Sequence, residues 1–273
     1  MQLSPSTFTD LRNLIYERTG IFFPDNKKYV LESRLQTRLK ERKCATYEDY
    51  FQLLKYDAWR DQELNAVYNL VTTNETFFYR DLPQLQMFTN TIIPAVVQAN
   101  SASSRIRVWS AACSSGDEPY TLAMMMLEHP ALANWAIDLI ATDISETALG
   151  AARDAVYGSY AVRNVPPLFI NKYFRRDGPQ YFLSEKIKEL VKFSHMNLYD
   201  GTRLKIIRGM DVIFCRNCLI YFDDKAKQKI VGNLADCLRP KGYLVIGFSE
   251  SMHGVSNAFK AVHADRSVVY QKQ

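Results

Sequence analysis

RIRVWSAACSSGDEPYTLAMMML, Arg105–Leu127, carries the pattern that decides the fold. Ile106, Val108 and Trp109 mark a short apolar strand, and a small-residue loop with one glycine, Gly116, follows. A helix then opens on Asp117 and Glu118. Downstream, Asp143 closes a second apolar run, IDLIATD. Strand, small-residue turn, helix and an acid ending the next strand make a nucleoside-binding layout. The turn lets a cofactor approach the backbone, and the acid accepts hydrogen bonds from ribose hydroxyls. A dinucleotide site needs several glycines and free N–H groups around its pyrophosphate. A single glycine points instead to an adenosyl ligand without phosphates, S-adenosylmethionine. On this stretch alone, an ordinary βαβ unit with an unrelated acid stands as the alternative.

The chain has 273 residues and is 47% hydrophobic, enough for one large or two smaller domains. No apolar run reaches the length of a membrane span; the longest resemble YLVIGF at Tyr243–Phe248. The opening MQLSPSTFTDLR has no basic-then-apolar signal pattern, so a cytoplasmic protein without membrane insertion is expected. Five scattered cysteines argue against a disulfide framework. The net charge of +5 permits acidic partners without implying nucleic acid.

Residues 1–70 read as an all-helical domain. PSTFTDLRNLIYERTG has capping residues, an apolar stripe and a terminating Gly20, and Leu31, Leu35 and Leu39 repeat every four residues. Strand-like runs begin only after Arg105, so 71–100 is expected to be a linker and cofactor strap. Over 101–273, strand and helix patterns alternate, which predicts a mainly parallel sheet covered on both faces. SVVYQ near the end predicts an antiparallel hairpin at one edge. Residues 157–198 break the alternation with Pro-Pro and a DGP turn, and read as an inserted β-subdomain.

Three motifs occur in order: TTNETFFYR at Thr72–Arg80, SAACSSGDEPY at Ser110–Tyr120 and FCRNCLIYFD at Phe214–Asp223. Together they closely resemble the CheR-type chemoreceptor glutamate methyltransferases, over nearly the whole chain. The resemblance implies an α/β class I methyltransferase sheet of Rossmann-like type, with a small N-terminal helical domain and an inserted β-subdomain. It also implies methyl transfer from S-adenosylmethionine to glutamate carboxylates of chemoreceptors for chemotactic adaptation, leaving S-adenosylhomocysteine. By the same similarity Asn74, Thr76 and Arg80 reach the cofactor from the joint, and Glu118 and Asp143 hold its polar groups. Asn197 and Leu198 flank the adenine, and Arg216 and Asn217 line the site. Arg80 and Tyr221 lie beside the transferring methyl. The match of Glu118 rests on the acid before Pro119, with Asp117 as its neighbour.

Plainer roles compete for several of these residues. An acid in a helix's first turn is stabilising by about 0.3–1 kcal/mol without any ligand. Phe77, Phe78 and Tyr79 read as packing residues. Cys215 and Cys218 form a lone CxxC without histidines at ligand spacing, so no metal is expected. Lys27–Lys43 holds seven Lys or Arg against two Glu, and Arg34, Arg38 and Arg42 recur every four residues. Such a ridge reads either as a solvated face or as the docking surface for acidic methylation helices of the receptor. Some relatives in the resembling family also grip a receptor's C-terminal pentapeptide through the inserted subdomain. Here Gly178 is followed by stiff Pro179 and bulky Tyr181 and Phe182, so no such tether is expected.

The chemistry requires little acid–base machinery, because a glutamate with an ordinary pKa of about 4.3 is already ionised at neutral pH. Two rival classes are a nucleic-acid methyltransferase and a non-catalytic cofactor-binding module. The first lacks its Asn/Asp-Pro-Pro-aromatic motif, with CRNCLIYF in that place, and the second is disfavoured by the presence of Arg80, Asp143 and Tyr221.

Overall fold

The computed structural model describes residues 2–264 and 266–273. Its front consists of four helices, α1 (Pro5–Thr19), α2 (Lys28–Glu41), α3 (Tyr47–Tyr56) and α4 (Arg60–Val71). Local chemistry sets their ends. The Ser4 side chain caps the N-terminus of α1, and Gly20 ends it in the left-handed region at φ 75°. Thr46 and Asp49 exchange hydrogen bonds in a capping box at α3. Leu31, Leu35 and Leu39 turn inward as their spacing predicts and pack with Leu11, Ile15, Tyr50 and Val67.

The stretch 71–100 is a joint only at its beginning. From Leu82 it is helical, as α5 (Leu82–Met87), a π-turn at Phe88–Ile92 and α6 (Ile93–Ala99). Phe88, Ile92, Ile93 and Val96 are fully buried in the core of the second domain. Pro94 lacks the N–H that a regular turn would use, and a π-turn next to it absorbs the mismatch. Two prolines and several β-branched residues hid this helix from the sequence reading.

A seven-stranded sheet forms the second domain, in the order β6-β2-β1-β7-β8-β10-β9. Its parallel part is β1 (Arg105–Ala111), β2 (Ala136–Asp143), β6 (Val191–His195), β7 (Met210–Cys215) and β8 (Leu238–Ile246). Helices α7 (Asp117–Leu127) and α8 (Glu146–Asp154) follow β1 and β2. This is the doubly wound α/β sheet expected from the alternating pattern. The strands β9 (Phe259–Ala264) and β10 (Ser267–Lys272) form a hairpin whose second arm, β10, inserts antiparallel between β8 and β9. FKAVHA carries no strand signal in its sequence, because its exposed edge position leaves it without a clear apolar face.

The inserted subdomain is a three-stranded antiparallel sheet of order β3-β5-β4, with β3 (Val156–Gly158), β4 (Phe174–Asp177) and β5 (Gln180–Leu183). It is smaller than the 157–198 expected. Val191–His195 pairs in parallel with β2 and so belongs to the main sheet. Among the described residues no helix is long and apolar enough to cross a membrane.

Candidate active site

The sheet order reverses at β1, whose neighbours β2 and β7 lead away in opposite directions, and a crevice opens beyond the strands' C-terminal ends there. The loop after β1 makes this crevice. Ala112 and Ser114 sit in the left-handed region, at φ 62° and 50°. Both line the cavities described below. Gly116 has a different task from the one expected. A Cβ there would lie 3.0 Å from both the Ala152 Cβ and the Tyr120 ring, so the glycine allows α7 to pack closely on α8. Ala112 and Ser114 present the backbone to a ligand.

Asp143 ends β2 and is only 5% exposed. Its carboxylate accepts the Ser114 N–H and the Ser145 N–H, each at 2.8 Å. Burial raises its pKa above the ordinary range, and these backbone donors oppose the rise. The carboxylate faces a cavity walled by Ile21, Val71, Ile144, Met196 and Leu198, which also meets Asn74, Asn197, Asn217, Cys218 and Tyr221. A second cavity is lined by Thr76, Phe77, Arg80, Glu118, Arg216 and Asn217. Thr73, Ala112, Ser114 and Asn217 border both cavities, so the two adjoin beneath the strap formed by residues 73–80.

The strap is fixed from two sides. Phe78 donates its N–H to the Ala161 carbonyl at 3.0 Å, and its ring packs edge-on against Tyr157 and Phe174 of the inserted subdomain. From the core, Thr121 Oγ1 accepts the Tyr79 N–H at 3.2 Å. Phe78 and Tyr79 are thus buried packing residues, as read from the sequence, and Phe77 and Tyr79 both border the second cavity. Arg80 Nη1 donates to the Glu75 carbonyl at 2.9 Å, and the guanidinium stands 5.6 Å from the Phe77 ring centre.

Of the two neighbouring acids, Glu118 borders the second cavity and Asp117 does not. Glu118 accepts from Ser110 Oγ at 2.7 Å and pairs with Arg216 at 3.0 Å. Arg216, on the wall of the second cavity, is also an internal brace. Its other N–H groups go to Gln84, the Arg80 carbonyl and Asp81, all within 2.8 Å. Arg216 therefore holds Glu118 and the end of the strap in place. The Asn197 amide is similarly engaged, donating to the Arg18 carbonyl at 2.7 Å and accepting the Tyr199 N–H at 3.0 Å. Arg80 and Tyr221, expected side by side, lie on different cavities, one on each side of the shared border. The Cys215 thiol is fully buried, and its hydrogen bond with Cys218, together with burial, holds its pKa far up. That is the small buried hydrophobe expected from the lone CxxC.

Asp117 is 1% exposed, and burial pushes its pKa up to about 6 despite a 2.7 Å hydrogen bond from Ser115. An acid whose folded pKa is raised favours the fold at low pH and loses that contribution as pH climbs through about 6. The loss approaches about 3 kcal/mol, at 1.36 kcal/mol per pKa unit. Asp117→Asn is therefore expected to melt at a higher temperature than wild type at pH 7.5 and to gain nothing at pH 4. Calorimetric melts across that range check it, and equal melting at pH 7.5 would contradict the assignment.

The arginines Arg34, Arg38 and Arg42 of the ridge also make contacts within the fold. Glu63 of α4 is 3% exposed and accepts from the Tyr50 hydroxyl at 2.7 Å. Arg38 meets it through two nitrogens at 2.9 and 2.6 Å, and Arg42 stands 3.4 Å away. Burial alone would raise the Glu63 pKa, but these arginines and Tyr50 bring it below the ordinary value. Arg34 donates to the Val71 carbonyl at 2.5 Å and to Thr73 Oγ1 at 2.9 Å, which anchors the start of the strap. The exposed residues of α2 are Tyr29, Ser33, Gln36, Thr37, Lys40 and Glu41, and Arg42 and Lys43 follow them. Arg38→Ala should accordingly cost about 3 kcal/mol of stability, the low end for unpairing a buried charge, because Arg42 and Tyr50 remain. Chemical denaturation checks it; unchanged stability would return Arg38 to the surface.

The front domain closes one wall of the first cavity. Ile21 bridges Phe222, and Phe22 donates its N–H to the Tyr221 carbonyl at 3.0 Å. Thr19, Ile21, Val71 and Thr72 from this domain line the cavity with residues of the sheet domain.

Two family models match the chain. "CheR methyltransferase, SAM binding domain" covers residues 74–268, and "CheR methyltransferase, all-alpha domain" covers residues 6–72. Their boundary falls at the start of the strap. The chain is 37% identical to "Chemotaxis protein methyltransferase 2" of Vibrio cholerae over 273 residues, 99% of this chain and 94% of that protein. It is 32% identical to "Chemotaxis protein methyltransferase" of Borreliella burgdorferi, over 94% of this chain and 92% of that one. The same-named Escherichia coli protein is also 32% identical, over 95% and 89%.

Proposed function

We infer the reaction from one premise: the chain belongs to the CheR methyltransferase family. It is an S-adenosylmethionine-dependent methyltransferase of chemotaxis. The acceptors are glutamate carboxylates on the cytoplasmic methylation helices of chemoreceptors, and the protein works in the cytoplasm. The observation that carries this reading is the pair of adjoining cavities at the strand ends. One has apolar walls with the buried Asp143 carboxylate, which suits an adenosine. The other is polar, with Glu118 and Arg80, which suits the charged amino-acid end and the acceptor carboxylate.

When bound, S-adenosylmethionine supplies a methyl group made electrophilic by its sulfonium. The chain's own residues do the rest. Asp143 has free lone pairs for ribose hydroxyls, and Glu118 offers a carboxylate fixed by Ser110 and Arg216. Arg80 holds the acceptor through the oxygen that does not attack. A tight ion pair with the attacking oxygen would favour the ground state and slow a reaction in which charge is lost. Tyr221 offers an aromatic face near a cation. Closure by the strap and front domain keeps out water, which favours the union of opposite charges.

Direct docking, without a C-terminal peptide tether, fits the inserted subdomain. Its outer strands β3 and β4 have three and four residues, a short edge for adding a peptide strand. Titrating receptor C-terminal pentapeptides by calorimetry is expected to give no binding at micromolar concentration; measurable binding would restore the tether. A nucleic-acid substrate is poorly supported, because two of the ridge arginines pair with Glu63 and the third holds the strap.

The test is incubation with cofactor labelled in the transferable methyl and with receptor fragments, DNA or no acceptor. Label is expected on receptor fragments alone. Labelled DNA, or no labelled product, would overturn the reading.

A further inference from the structure

Glu250 has no part in the motifs, yet it organises the loop that carries Asn217 and Tyr221. It lies in the turn after β8. Its Oε2 accepts the Gly247 N–H at 2.6 Å and the Asn217 N–H at 3.0 Å, and its Oε1 accepts the Ile220 N–H at 3.1 Å. Among the described residues no lysine or arginine pairs with this carboxylate; backbone donors alone hold it. It joins the C-terminal ends of β7 and β8 across residues 216–222. That loop has little regular structure of its own beyond one 3-10 turn at Leu219–Tyr221. Asn217 lies in the left-handed region at φ 56°, which asparagine tolerates better than most non-glycine residues.

Gly247 gives an independent indication of how tight this clamp is. A Cβ at that position would lie 2.8 Å from the Asn217 nitrogen and 2.8 Å from Glu250 Oε2. The two loops meet so closely that only glycine fits between them. Asn217 borders both cavities and Tyr221 borders the first, so the clamp fixes the wall shared by cofactor and acceptor.

We propose that Glu250 is a positioning residue for methyl transfer, acting through the backbone of residues 217–220 to set Tyr221 and the border between the two cavities. The proposal rests on the methyltransferase reading above. Glutamine in its place keeps the size but turns an amide N–H₂ toward one of the backbone donors, which loosens part of the clamp. Since other residues build most of the first cavity, the damage should fall on turnover rather than on cofactor binding.

Glu250→Gln and Gly247→Ala, which strains the clamp through a different atom, are compared with wild type in the methyl-transfer assay. Both are expected to lower kcat at saturating cofactor at least 30-fold, with the S-adenosylhomocysteine Kd within about 3-fold of wild type. Amide hydrogen exchange at Asn217 and Ile220 should quicken at least tenfold, while β1 and β2 stay protected. Glu250→Asp, one methylene short, should not restore turnover. Turnover within 3-fold of wild type in folded Glu250→Gln would overturn the proposal, as would unchanged exchange at both amides. If wild type transfers no methyl to any acceptor, the methyltransferase reading fails instead, and amide exchange alone then judges the clamp.

Discussion

Asp143→Asn should weaken binding of S-adenosylmethionine and S-adenosylhomocysteine by about 10–100-fold, corresponding to about 1–3 kcal/mol for unsatisfied polar groups in a closed site. Asparagine is the informative replacement because alanine does two things at once. Alanine would leave the Ser114 and Ser145 N–H groups, now bonded at 2.8 Å, without their acceptor and destabilise the loop itself. Asparagine keeps one oxygen for a backbone donor but turns an N–H₂ toward the second donor or the cavity, where an acceptor is required. Calorimetric titration of both ligands checks this, with a parallel melt to confirm folding. Unchanged affinity in a folded variant would remove Asp143 from the cofactor site.

Arg80→Ala should lower methyl transfer at saturating cofactor by about 100-fold, the scale of losing alignment between reacting groups. Melting temperature and S-adenosylhomocysteine affinity should barely move. The separation follows from the structure. The backbone at residue 80 is held by Arg216 through the carbonyl, so the strap survives loss of the side chain. The side chain's own hydrogen bond is to the Glu75 carbonyl, which is part of the same strap and contributes little to the core. Lysine would keep the charge but lose the planar fork that orients a carboxylate, so Arg80→Lys should recover only part of the rate. A variant that turns over normally would exclude Arg80 from the reaction.

Much of the fold was legible because its signals are local. The leucine stripe of α2, the caps of α1 and α3 and the apolar strands β1, β2 and β7 each follow from spacing or capping within a few residues. Signals that depend on distant partners were misread. The arginines Arg34, Arg38 and Arg42 repeat like a docking ridge, yet Arg38 and Arg42 pair with Glu63, a buried acid on another helix, and Arg34 with the start of the strap, partners that no periodicity links to them. Gly116 looked like a backbone approach point for a ligand, but its neighbours Ala152 and Tyr120 are contacts made only on folding. Val191–His195 was assigned to the insertion because its membership of the main sheet depends on pairing with β2.

The site shows the same division. Asp143 was readable as an acid that closes an apolar strand and needs a partner. Glu118 became distinguishable from Asp117 only through its place on a cavity, opposite Arg216. Thr73, Ala112 and Ser114 were missed as lining residues, since small side chains in a loop carry no chemical signature. Glu250 and Gln84 were missed because bracing groups reveal themselves only by what they hold.

The stability of the product decides whether a carboxylate receives the methyl group. Receptor fragments labelled through the transferable methyl should release the label as volatile methanol in mild base, as a carboxylate methyl ester does. Fragments in which the acceptor glutamates are replaced by alanine should take up no label. Label that withstands base, as on nitrogen or a nucleic-acid base, or that persists after the glutamates are removed, would contradict the account.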